Sequence, residues 1–283
     1  MLAKLHPHPR DSRISFREEG HVYTIEGLEG HPISVTTLIH TLFQNFDADE
    51  VIDKMMRSRN WSTSKYHGMT KDQIKEMWNK NKEEASEAGT RMHKSIEDFM
   101  NAPESERNDA VAFFSRIGVA PPHLPQTPEF RMFMEFWTEV SRDTKFKPFR
   151  SEWLVYDADK RLSGSIDMVI EDEDGNTIIL DWKRSKEIKK ENRWQRGKGC
   201  MSHLQDCNYW HYSLQLNIYR HILETFYDKE VTDMFLVILH PNNKTFMLYP
   251  VERMERETAE LMKLLPLDRG QPGGDEEVPH GDE

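Results

Sequence analysis

The chain has 283 residues, of which 31% are charged, and a formal net charge of −11. Its mean hydropathy of −0.77 and the lack of any long apolar run exclude a transmembrane span. The first ten residues hold no apolar stretch for a secretory signal and are too few for a transit peptide. The two cysteines, Cys200 and Cys207, make no disulfide framework, so an intracellular setting is expected.

The length suits one large domain, or one with a helical insertion, with an ample core. Acidity is concentrated at the end: 266–283 holds six acids against Arg269, and the remainder carries −6. That glycine-, proline- and acid-rich tail is expected to be disordered, as is a flexible N-terminus over 1–12 with its two His-Pro pairs.

In chain order, Ile14–Phe16 and Val22–Ile25 alternate around Glu18-Glu19-Gly20 and read as a small hairpin. Ser34 is placed to cap an amphipathic helix running to about Phe43. Thr70 and Gln73 have capping-box spacing ahead of a helix through Ile74, Met77 and Trp78. A second helix is expected over about 83–100, with His93 and Glu97 four apart on one face. Taken alone, that pair reads as a hydrogen-bonded surface pair.

Residues 101–128 look like an insertion, with a short helix around 111–117 and then four prolines. The next helix carries Phe130, Phe133, Phe136 and Trp137, a stripe that suits packing better than base stacking. A strand follows from Phe149, with Glu152 near its start. The turn Asp157–Arg161 closes in more than one register, which leaves the facing of Glu152 open.

The centre of the chain is a second hairpin. Ile166–Ile170 and Thr177–Trp182 are β-branched and apolar, and they flank Glu173-Asp174-Gly175. A three-residue loop with glycine in the left-handed position pairs Asp172 with Asn176. Counting back then sets Asp167 opposite Asp181, with Cβ atoms ~4.5–5.5 Å apart. Lys183 shares the face of Asp181 by the period of two. Two facing carboxylates repel unless they hold a divalent cation such as Mg²⁺ or Mn²⁺, and a lysine beside them suits attack on a phosphodiester. The competing reading is a charged outer face of a hairpin.

From Lys183 to Lys198 the sequence carries eight Lys/Arg against Glu187 and Glu191, with Trp194 interleaved. Arg184, Lys186, Lys189, Lys190, Arg193, Arg196 and Lys198 therefore form a candidate phosphate-backbone stripe, the alternative being a solvated charged helix. Cys200, His203, Cys207 and His211 have a superficial zinc pattern. On one helix they would spread over about 16 Å, and Asp206–Asn208 reads as a turn, so no metal site is expected there. A helix over about 209–226 places Gln215 and Tyr219 on one stripe with Ile218 and Ile222. The Gln215 amide and Tyr219 hydroxyl are candidates to hydrogen-bond a scissile phosphate. A hairpin (234–240 with 245–251) and a closing helix (252–265) complete the chain.

Gly164-Ser165-Ile166-Asp167 followed by Asp181-Trp182-Lys183, with Gly89–Glu97 upstream and Gln215–Tyr219 downstream, resembles the PD-(D/E)XK nuclease superfamily in its RecB-like branch. The likeness covers roughly residues 85 to 225. Over the whole chain the similarity is to viral and mitochondrial single-strand exonucleases.

This resemblance implies an α/β fold in which helices flank a mixed central sheet, a restriction-endonuclease-like core with a helical N-terminal region. The nuclease domain would span 13–265, with its helical part at 34–145 and its catalytic core at 149–251. The resemblance adds His93 and the Trp182 carbonyl as metal ligands beside Asp167 and Asp181, Glu97 to orient His93 or bind water, and Glu152 as a further acid near the metal. It gives Ser34 and Thr36 phosphate contacts. With only two cysteines, the iron–sulfur cluster of some RecB-like relatives is not expected.

The implied activity is metal-dependent cleavage of DNA, as an exonuclease on single-stranded or resected ends in replication, recombination or repair. A structure-specific endonuclease and a catalytically silent nucleic-acid-binding subunit are the alternatives.

Overall fold

Gly175 adopts φ +84°, and its amide donates to the Asp172 carbonyl, so the central hairpin closes as the loop length requires. In the computed structural model, which describes residues 1–142 and 145–265, the elements follow in order. They are α1 (Leu2–Leu5), β1 (Ile14–Arg17), β2 (Val22–Ile25), β3 (Ile33–Ser34), α2 (Val35–Leu42) and α3 (Ala48–Met56). Next come α4 (Lys71–Met100), α5 (Glu104–Ile117), α6 (Pro128–Val140), β4 (Lys147–Asp157), β5 (Leu162–Glu171) and β6 (Asn176–Lys183). The chain closes with α7 (Asn208–Phe226), β7 (Glu230–Ile238), β8 (Met247–Pro250) and α8 (Glu255–Leu264). The acidic segment 266–283 lies outside the described residues.

The fold is α/β, with a mixed sheet between two helical layers. β4 runs antiparallel along β5, while β6 pairs antiparallel with β5 only from Met168↔Leu180 to Glu171↔Thr177. Beyond that point β6 continues to Lys183 on β7, its parallel neighbour, and β8 closes the edge. The opposite end of β5 pairs in parallel with β3 at Ser34↔Ser163. The edge of β5 between these partners is therefore open around Gly164–Asp167.

Ile179, Leu214, Ile218, Ile222 and Leu38 pack on one face of the sheet with α2, α7 and α8. On the other face Met168, Ile178, Leu180 and Trp182 meet α4, α5 and α6. The aromatic stripe of α6 is core: Phe133 and Phe136 stand edge-on to the Trp182 indole at 5.6 and 5.7 Å. Among the described residues no helix is long and apolar enough to cross a membrane.

Two expectations are corrected and one alternative reading falls. The segments before and after Trp78 form one 30-residue helix, α4, because the polar run between them holds no stop signal; its Thr70–Gln73 capping box is present. The N-terminus is docked rather than free. Leu2 is buried, Arg10 lies 3.9 Å over the Tyr156 ring, and Asp11 pairs with Arg150 at 2.6 Å. The basic segment after Lys183 is an irregular loop up to the short 3₁₀ turn Gly199–Met201, not a solvated helix.

Candidate active site

The site lies where β5 and β6 part. Past Met168↔Leu180 the Trp182 amide donates to Oδ2 of Asp167 at 2.8 Å, so a side chain replaces a backbone acceptor. The predicted loop register holds from Asp172–Asn176 to Met168↔Leu180, but the ladder ends one pair short of Asp167 and Asp181, which were expected to stand directly opposite each other.

Glu152 comes to the same place from β4. By the β4–β5 register it stands opposite Asp167, and its backbone is left-handed at φ +43°, a strained conformation for a residue with a side chain. The side-to-side alternation breaks here: Ile166 and Val169, three apart on β5, both join the α7-side core. The Ser165 hydroxyl donates to Glu152 Oε2 at 2.9 Å and fixes its carboxylate.

His93 reaches in from α4. Its Nδ1 lies 3.5 Å from Glu152 Oε1 and 3.7 Å from Asp167 Oδ2, and its Nε2 lies 3.1 Å from the Trp182 carbonyl oxygen. One ligand atom from each of His93, Glu152 and Asp167 falls within 4.8 Å of the others, the one such group among the described residues. Asp181 stands beside this trio, with Lys183 Nζ 2.9 Å from its Oδ2 and 3.2 Å from its Oδ1. The contact to Oδ2 lacks hydrogen-bond alignment, which leaves a buried acceptor oxygen unsatisfied.

From α7, Gln215 Oε1 accepts from Lys183 Nζ at 3.3 Å, and Gln215 Nε2 donates to the Tyr219 hydroxyl at 3.4 Å. Tyr219 packs on Gly164, where a Cβ would fall 2.6 Å from its ring. The Tyr212 ring lies 4.6 Å from Lys183 Nζ.

The electrostatics are those of a site short of positive charge. Burial pushes the Asp181 carboxyl up to about 7 although Lys183 pulls it down, and Asp167 pushes it further. Burial likewise raises Asp167, with Glu152 adding to the rise against His93 and Lys183. Burial disfavours a charged His93, but Asp167 and Glu152 outweigh it and carry the imidazole up to about 9. Three carboxylates, one of them with an unsatisfied oxygen, and an imidazole fit the donor set of a divalent oxygen-seeking cation.

A family model described as the PD-(D/E)XK nuclease superfamily matches residues 58–276. The chain belongs to the PD-(D/E)XK nuclease superfamily. The match takes in every residue of the cluster just described, from His93 to Tyr219. No curated protein sequence matches this superfamily member. A solved structure titled "Crystal structure of SSO0001" is similar at 16% identity with a TM-score of 0.27. That likeness covers 57% of this chain and 65% of the other, less than two thirds of its length.

Several candidates read from the sequence lie elsewhere. Glu97 is outside the trio, its carboxylate 3.3 Å from Lys94. Ser34 is buried and caps α2, accepting from the Thr37 amide at 3.0 Å, and Thr36 sits half-buried in the first turn. Arg184 is held at 2.8 Å by buried Glu129. Lys186, Lys189, Lys190, Arg193, Trp194, Arg196 and Lys198 are exposed on the loop. His203 pairs with Glu257 and His211 with Asp206, and no metal group forms among the described residues there. Ser165 and Tyr212 were not picked out from the sequence. Tyr212, three residues before Gln215 on the same helix, was within reach of the helical periodicity.

Proposed function

We propose that this chain is a Mg²⁺- or Mn²⁺-dependent deoxyribonuclease that works as an exonuclease on single-stranded or resected DNA ends, in replication, recombination or repair. The observation that carries the chemistry is the convergence of His93, Glu152 and Asp167 beside the Asp181–Lys183 pair at an open strand edge. The exonuclease mode and the RecB-like branch rest on the motif resemblance alone.

Glu152, Asp167, Asp181 and His93 would hold the cation, with the Trp182 carbonyl at hand. When bound, such an ion polarises a phosphoryl oxygen and makes a coordinated water more acidic. The residues supply the rest. Lys183, steadied by Asp181 and Gln215, directs its ammonium at the attacking water or the charge building on phosphate. Gln215 and Tyr219 orient that amine and border the space for the scissile group. The exposed lysines and arginines of the loop after Lys183 carry the strand by its phosphates.

Digestion of end-labelled linear and circular DNA, single- and double-stranded, with Mg²⁺, Mn²⁺ or EDTA tests this reading. Linear single strands shorten only with metal, and circles stay intact. A cut circle would make the enzyme an endonuclease. Binding without cleavage under every condition would make it a silent subunit.

A further inference from the structure

We infer that Trp194 is a base-stacking post: a subsite, separate from the metal cluster, that takes the face of an unpaired nucleobase. The inference rests on the nuclease reading and deepens it. The Trp194 side chain is 93% exposed. Exposure alone would mean little, because single surface apolar residues are common. What sets this one apart is that the loop holding it is tied down on both sides.

The Asn192 side-chain oxygen accepts from the amides of Trp194 and Gln195 at 3.0 and 3.2 Å, and its Nδ2 donates to the Asp206 carbonyl at 2.6 Å. The Asp206 amide returns to Gln195, and the Gly197 amide donates to Leu204. Gly197 approaches Met201 so closely that a Cβ would fall 2.4 Å from its carbonyl oxygen. The loop is also fastened to the body, by the Lys198 amide on the Leu42 carbonyl at 2.7 Å and the Lys189 amide on Asn208 Oδ1 at 2.8 Å. A backbone held in this way presents the indole from a fixed point on the surface, so binding has less loop freedom left to remove.

The surroundings select the occupant. Lys190, Arg193, Arg196 and Lys198 are exposed on the same loop, and they complement a polyanion. An indole face in a basic loop stacks on a nucleobase whose own face is free, whereas paired bases in a duplex show only their edges. The loop starts at Lys183 and is tied at Asn208 to the helix that carries Tyr212, Gln215 and Tyr219. The post and the lysine thus belong to one continuous segment, Lys183 at its start and Trp194 eleven residues on.

The test measures binding of labelled single-stranded DNA to the full chain carrying Asp181→Asn, with and without Trp194→Ala or Trp194→Phe. A second oligonucleotide of equal length and charge has abasic sites through its middle. Trp194→Ala should weaken binding to the natural strand about tenfold, the size of one stacking contact. Trp194→Phe should recover most of that loss, and neither substitution should alter binding to the abasic strand. Equal losses on both strands, or no loss, would overturn the stacking role. Unchanged DNA binding together with a loss of self-association would make the post a protein contact instead. If the wild-type chain neither binds nor cleaves DNA, the nuclease reading fails as well, and the two failures are told apart.

Discussion

Asp167 accepts the Trp182 amide through Oδ2 at 2.8 Å, and so it both holds β6 at its divergence from β5 and presents a carboxylate to the cluster. The two roles separate by substitution. Asp167→Asn keeps an oxygen for the amide and removes the charge, so urea unfolding should stay close to wild type while cleavage is lost. Asp167→Ala also strands the amide, at a further cost of about 1–3 kcal/mol. Cleavage by Asp167→Asn at the wild-type rate would remove Asp167 from the chemistry.

Gly164 has no room for a side chain, because a Cβ would meet Tyr219 Cε1 at 2.6 Å and its hydroxyl at 2.7 Å. Gly164→Ala should therefore displace the ring, disturb the Gln215 contact and cost about 1–3 kcal/mol by overpacking. Adding Tyr219→Ala should relieve the clash, so the double variant is more stable than the sum of the two single losses predicts. Strict additivity in chemical denaturation would show that the ring moves aside freely.

Tyr212 lies under the Lys183 ammonium and shares it with Asp181 and Gln215. A phenyl ring keeps the face that attracts the cation, so Tyr212→Phe should leave kcat within about twofold. Tyr212→Leu should lower kcat about tenfold with KM little changed, since what is lost is the aim of the lysine rather than substrate contact. Equal effects of Phe and Leu in steady-state kinetics would point to the hydroxyl instead.

The parts of the site legible in the sequence were those set by local geometry. One glycine in a three-residue loop fixed the register of β5 on β6, and that register led back to Asp167 and Asp181 within fifteen residues of chain. Glu152 was not legible in the same way. Its place depends on a left-handed backbone at a residue that disfavours one, a conformation imposed by the surrounding sheet and not announced by residue type. Glu97 misled for the opposite reason: helical spacing put it on the face of His93, but spacing does not say that Lys94 will claim its carboxylate. The basic run could not be assigned to helix or loop from its charges, because the ties that shape it come from Leu42, Gln205 and Asp206, distant or unrelated in pattern.

The docked N-terminus yields a prediction with a defined pH window. Arg150 is buried, and Asp11 meets it at 2.6 Å while also accepting from the Trp153 indole at 2.9 Å and the His8 amide at 2.9 Å. Burial by itself would raise the Asp11 carboxyl, but those hydrogen bonds and the guanidinium bring it below its ordinary value. An acid whose folded pKa is depressed stabilises the fold fully above its unfolded pKa, about 3.9, and loses that contribution as pH falls through the folded value. Asp11→Asn should therefore cost about 1–3 kcal/mol at pH 7, because Arg150 loses its counter-charge. The gap from wild type should hold down to about pH 4 and narrow below it. Urea unfolding of both proteins between pH 7 and pH 3 measures this, and a gap of constant size across the range would show that the ionised carboxylate is not what fastens the segment to β4.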